Sequence, residues 1–222
     1  MIGIGEGSKF ILSKLRSVIY RAIKTLKTLN IKSSHFLIPS FNNYNSDIMI
    51  DLITRISVLS NHVFDKYLTL QPKHRIEKLT FISDNDNSLS IIKNAQIIAE
   101  CTCLARELVN DRADTVTPQY LENQSISLVN THPDVLKLKI IQHDELLSLG
   151  LNMITAVGQG AKHKARLIII EYNGNRNQNH EKIALVGKGI TFDTGGLNIK
   201  PTKAIEDMYM SVIKYEFKNT DV

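Results

Sequence analysis

The stretch Leu185-Val186-Gly187-Lys188-Gly189-Ile190-Thr191-Phe192-Asp193-Thr194-Gly195-Gly196-Leu197-Asn198-Ile199-Lys200-Pro201 decides the architecture. It reads as a buried strand that runs directly into glycines flanking Lys188, then Asp193 and a glycine pair, then Lys200. Glycine there permits turns that other residues resist and lets a ligand come close. A loop at the end of a strand is the usual site position in an open α/β sheet. A phosphate loop fails on spacing. After Gly187 and Gly189 the third dinucleotide-binding glycine would fall at Phe192, and no Gly-Lys-Ser/Thr follows a suitable glycine. Gly158-Gln159-Gly160 fails the same tests. What remains is two lysines and one carboxylate. An ordinary loop ion-pair cluster of small worth has the same composition, so the residue types alone leave a structural and a catalytic reading open.

Working outward, Arg166–Tyr172 and Lys182–Val186 are β-like runs separated by the polar loop 173–181. Val135–Ile141 reads as another strand, and Asp144–Leu149 as a short helix stopped by Gly150. Thr117-Pro118 opens a helix in the expected order, a capping threonine followed by proline at the first helical position. A long helix runs from Ser88 to about Val109, with Ile91, Ala95, Ile98, Thr102, Ala105 and Leu108 or Val109 on one face. The polar run 83–88 ahead of it is the best linker. Further upstream come a strand at Leu79–Ile82, a helix over about Asp47–Tyr67 and an apolar run at His35–Pro39. The alternation of helical and extended patterns predicts an α/β class with largely parallel strands.

The 222 residues are 43% hydrophobic and 22% charged, enough for one large domain or two small ones, and neither disordered nor fibrous in composition. Apolar runs such as Leu167–Ile170 fall far short of the roughly 18–20 residues that span a bilayer, so no membrane partner is expected. Cys101 and Cys103 sit two apart on a helix and point to different sides, which argues for reduced thiols. The net charge is +5, and no acidic residue lies between Glu6 and Asp47, where Lys9, Lys14, Arg16, Arg21, Lys24, Lys27 and Lys32 fall. Ile11, Leu12, Leu15, Val18, Ile19, Ala22, Ile23 and Leu26 recur there at helical spacing, as in a core-packed helix with a solvated basic face. An organellar presequence would be richer in arginine. Nucleic acid is not expected as a partner, because no zinc-finger or RNA-recognition signature follows the basic stretch.

The Lys188–Pro201 loop, together with Phe64-Asp65-Lys66-Tyr67, Ala105-Arg106-Glu107-Leu108-Val109-Asn110, Thr117-Pro118-Gln119-Tyr120-Leu121, Ala156–Gly160 and Arg166–Tyr172, resembles the leucyl aminopeptidase family of cytosolic dinuclear-metal peptidases. Order and spacing match over most of the chain, to Met210. The resemblance implies that Lys188 ligates one divalent ion, zinc or manganese, and that Asp193 bridges two. A lysine can ligate only as the neutral amine, and an adjacent dication supplies the required pKa shift. It also implies that Lys200 is catalytic, donating to the substrate's developing oxyanion, and that Met208 lines the pocket for the first substrate side chain. Peptide substrates, a hexameric assembly and a cytoplasmic location follow from the same resemblance.

The match breaks after Met210. The family's next aspartate ligand, eleven residues past the catalytic lysine, falls on Ser211, whose neutral hydroxyl is a poor donor to a dication. The family's further ligands lie downstream of Val222, so two of five expected ligands are present. The expectation is therefore a truncated aminopeptidase, inactive as an isolated chain, or alternatively a non-catalytic paralogue acting through oligomer assembly. Residues 1–84 would be a partial amino-terminal α/β domain, 85–110 the linker helix and 111–222 the first part of the catalytic domain, with a largely parallel mixed sheet.

Overall fold

A computed structural model describes residues 11–38, 44–70, 74–174, 182–208 and 214–219, the last as backbone only. The chain divides into two compact units, Met1–Glu107 and Leu108–Val222.

The first unit is built on two helices, α1 (Leu12–Thr28) and α2 (Ser46–Asn61), and on the parallel strands β1 (Ser33–Leu37) and β2 (Lys78–Ile82). The helical spacing read in the sequence is the one used. Leu15, Ile19 and Ile23 of α1 meet Met49 and Ile53 of α2, and Ile76 closes the cluster. Phe36 and Phe81 are register partners whose rings pack edge to face over that core, 6.2 Å apart. The helix expected to reach Tyr67 stops at Asn61, because the Asn61 side chain turns to the incoming strand. It accepts from the Ile76 N–H at 3.0 Å and donates to the Ile76 carbonyl at 2.8 Å, as a neighbouring strand would. Lys27 Nζ donates to the Ser60 and Asn61 carbonyls at 3.3 and 3.4 Å, and Arg106 to the Leu59 carbonyl, so cations satisfy the free carbonyl end of α2.

Helix α3 (Ser88–Asn110) spans the boundary between the units. Its buried line differs from the predicted one. Ala95 and Ala99 are the buried pair, whereas Ile98 and Thr102 are exposed, so the face in use is rotated toward small residues four apart. Cys101 and Cys103 are free thiols. Among the described residues no helix is long and apolar enough to cross a membrane.

In the second unit α4 (Pro118–Thr131) packs on the pair β3 (Leu136–Ile141) and β4 (Leu167–Tyr172). Thr117 Oγ1 accepts from the Tyr120 N–H at 3.2 Å, with Pro118 at the first helical position. Thr117→Ala should cost about 1 kcal/mol, read as a lower urea midpoint, while Thr117→Asn should leave it nearly unchanged. Helices α5 (His143–Ser148) and α6 (Asn152–Val157) follow β3, and Gly150 ends α5 with φ +70°. Beneath α4 lies a polar cluster. Glu122 pairs with Arg166 just ahead of β4, Gln142 Nε2 donates to both Glu122 oxygens at 3.2 Å, and Arg166 also donates to Gln119 at 2.7 Å. Glu122 is buried and Arg166 nearly so.

The α/β class holds, but strand sense in this unit corrects the expectation of largely parallel pairing. Within the described residues β3 and β4 are antiparallel, as are β5 (Ile183–Lys188) and β6 (Lys214–Asn219). The parallel pair is β1–β2, where α2 provides the crossover. A second correction concerns β5, read as a buried strand from its apolar run. Ile183, Leu185 and Val186 are 57–67% exposed, since no helix covers this strand among the described residues.

Candidate metal and substrate loop

Strand β5 delivers Lys188 to its carboxyl end, and the chain then turns through residues 189–201 before α7 (Thr202–Ile205). The turn is organised by Asp193. Its Oδ1 accepts the Gly195 N–H at 2.9 Å, while Thr194 Oγ1 accepts the Gly196 N–H at 3.4 Å. Side chains of this kind favour turns because they satisfy backbone donors two residues on. Gly195 and Gly196 both take positive φ, +90° and +68°. At Gly195 a Cβ would also lie 2.3 Å from the Asn198 carbonyl oxygen, so this position demands glycine on two counts.

The double turn folds the loop back on itself. Lys200 N–H donates to the Thr194 carbonyl at 3.0 Å, and Lys200 Nζ reaches Asp193 Oδ2 at 2.9 Å. Two residues seven apart in sequence thus form a charge-assisted hydrogen bond, half-buried at both ends. The hydrogen bond from Lys200 and then the Gly195 N–H hold the Asp193 carboxyl below its ordinary range, and the Lys188 charge adds to this from further away. A carboxyl depressed on folding stabilises the loop fully above its unfolded value of about 3.9, and that stabilisation is lost as pH falls through the lower folded value. Carbon-13 NMR of the carboxyl should show Asp193 titrating below a free aspartate, and Lys200→Met should move it back up.

Of the residues singled out by sequence, Asp193 and Lys200 are therefore in contact, with Lys188 within electrostatic reach. Met208 follows α7 and is half-buried. Ser211 lies outside the described residues. The backbone partners Thr194 and Gly195 were not singled out. Their signal was the Asp-Thr-Gly-Gly order, in which a carboxylate and a hydroxyl each precede a glycine by two positions.

As a holder of metal the described set is short. No group of three or more His, Cys, Asp or Glu side chains converges among the described residues. Both Asp193 oxygens already accept from the chain's own donors. One amine and one carboxylate do not satisfy the four or more ligands that each divalent ion takes, so these residues alone do not fit a two-ion centre.

Residues 103–213, half of the chain, match the model of the cytosol aminopeptidase family, catalytic domain. The chain belongs to the cytosol aminopeptidase family. It is 33% identical over 213 residues to the probable cytosol aminopeptidase of Protochlamydia amoebophila (strain UWE25), covering 94% of this chain and 42% of that protein. The probable cytosol aminopeptidase of Clostridium tetani (strain Massachusetts / E88) is 32% identical, with 94% and 44% covered. The chain thus spans less than half the length of these cytosol aminopeptidases. Among solved structures, the bottromycin maturation enzyme BotP in complex with Mn superposes with TM-score 0.77 at 21% identity, over 95% of this chain and 43% of that one. A tomato leucine aminopeptidase mutant gives TM-score 0.74 at 23% identity, over 83% and 38%. At these identities the two structures establish the shared fold.

Proposed function

We propose that the chain carries the opening part of a metal-dependent aminopeptidase, an activity that releases amino-terminal residues such as leucine from peptides. The observation that carries the reading is the Lys200–Asp193 pair at the exit of β5, inside the segment that matches the family's catalytic domain. In this reading 1–84 is a partial amino-terminal domain, 85–110 the linker helix and 111–222 the catalytic portion. Lys188 and Asp193 would be ligands for zinc or manganese, ions that polarise a peptide carbonyl and activate water when bound. Lys200 is the donor to the developing oxyanion and Met208 a wall of the substrate pocket. Because the described residues supply only two donors, the chain by itself turns over no peptide. The remaining donors, and a cytoplasmic homo-oligomer such as a hexamer, belong to the complete enzyme.

The test is an assay of the purified chain on leucine p-nitroanilide with added manganese or zinc. No turnover is expected. Robust turnover that Lys200→Met abolishes would overturn the inactivity of the isolated chain, and turnover that survives Lys200→Met would remove Lys200 from the catalytic role.

A further inference from the structure

The positive charge of this protein is concentrated in one segment. Between Glu6 and Asp47 lie seven Lys and Arg and no Asp or Glu, so the rest of the chain is net acidic although the whole carries +5. Leu15, Ile19 and Ile23 take the inner face of α1 into the core, which leaves Arg16, Tyr20 and Lys24 in an exposed row at four-residue steps. That row forms one wall of two concavities of about 500 and 550 Å³. The two share Tyr20, Leu59 and Ser60 and so make one trough between α1 and the end of α2. Among the described residues no carboxylate lines either part. Lys27 and Arg106 frame the trough and are committed to the α2 carbonyls. The side chains of Arg16, Arg21 and Lys24, by contrast, have no hydrogen bond or ion pair among the described residues. Burial, then the nearby Arg75 charge, push the Lys27 pKa down.

We propose that this trough docks an extended acidic peptide segment of a partner protein. The spacing supports it: four residues of helix rise about 6 Å, close to the roughly 6.6 Å between alternate side chains of an extended strand. Carboxylates four strand residues apart, roughly 13 Å, would meet Arg16 and Lys24, about 12 Å apart along α1, with the carboxylate between them beside the Tyr20 hydroxyl, and Arg21 would receive a carboxylate in its planar fork. The intervening side chains would lie over Leu59 and Ile56 on the floor. A single-stranded nucleic acid is the poorer fit, because such sites stack successive bases on several free aromatic rings, whereas among the described lining residues Tyr20 is exposed and the imidazoles of His62 and His74 are engaged by Glu107 and Asn30.

The experiment is fluorescence anisotropy of the full chain with a labelled peptide of alternating glutamate and valine, at about 50 mM salt where surface charges are weakly screened. The double reversal R16E/K24E should weaken binding about tenfold or more, while the charge-matched control K93E/K162E, at exposed lysines outside the trough, should change it by less than about twofold. Circular dichroism checks that both variants are folded. Three results would each overturn the proposal: equal losses from the two double variants, absence of binding by the parent chain, or tighter binding of an oligothymidylate than of the peptide.

Discussion

Glu122→Ala should destabilise the second unit by about 3–5 kcal/mol, the cost of stranding one member of a buried ion pair. The reason lies in what Arg166 keeps. With Glu122 gone, the guanidinium remains buried with Gln119 as its hydrogen-bonding side chain, and its Nε already has no partner among the described residues. Gln142 would lose both of its acceptors in the same step. The pair joins α4 to the start of β4 and, through Gln142, to the start of α5, so three elements are loosened at once. Urea denaturation followed by far-ultraviolet circular dichroism measures the loss. The double variant Glu122→Leu/Arg166→Met separates the pair's net worth from the penalty of breaking it, since an apolar replacement of both partners is often neutral or stabilising. If Glu122→Ala costs less than about 1 kcal/mol, water has reached the cluster and the pair is effectively a surface one.

Gly195→Ala should open the candidate catalytic loop, and Gly196→Ala should not. Both residues have positive φ, which costs a residue with a Cβ roughly 1–2 kcal/mol. At Gly196 that is the whole penalty, because nothing lies within 4 Å of an added Cβ. At Gly195 the new methyl would meet the Asn198 carbonyl oxygen at 2.3 Å and Lys200 Cγ at 3.1 Å. The obstruction is backbone, so the loop has to move as a whole, and Lys200 moves with it. The expected readouts are faster exchange of the residue-195 amide and an Asp193 carboxyl that titrates nearer the free aspartate value. Preserved exchange protection in Gly195→Ala would show that the loop tolerates φ below zero at this position.

The elements legible in the sequence were those whose signal is local. Thr117-Pro118 marks a helix start because cap and first-turn proline act within one turn, and Gly150 marks a stop for the same reason. The apolar period of α1 named its buried residues Leu15, Ile19, Ala22 and Ile23 because one face of one helix meets one partner, while Ile11, at the helix's start, is exposed. The face of α3 was misjudged because Ile98 outweighs Ala99 in hydrophobicity, whereas close approach favours the alanine. The run in β5 implied burial, which depends on elements that a strand's own composition does not contain. Within the site, Asp193 and Lys200 could be named from the motif, but their direct contact depends on the paired positive-φ glycines. The Glu122–Arg166 pair left no sequence signal at all. Its members are 44 positions apart, and charged residues on a helix and before a strand ordinarily face water.

The strand pairings also differ in the length of chain that each must close. β3 and β4 form an antiparallel ladder whose near end joins Ile141 to Leu167, so it can close there and zip outward to Leu136 and Tyr172. β1 and β2 have no near end. Every rung of that parallel ladder, from Ser33 with Lys78 to Leu37 with Ile82, joins residues 45 positions apart. Chain entropy penalises the longer closure by only about 0.5 kcal/mol relative to the shorter one. The difference is kinetic, because contacts distant in sequence are slow to find. The 26-position closure of β3 on β4, which runs through α5 and α6, is therefore expected to form faster than the 45-position closure of β1 on β2, and φ-value analysis of the two ladders checks this order.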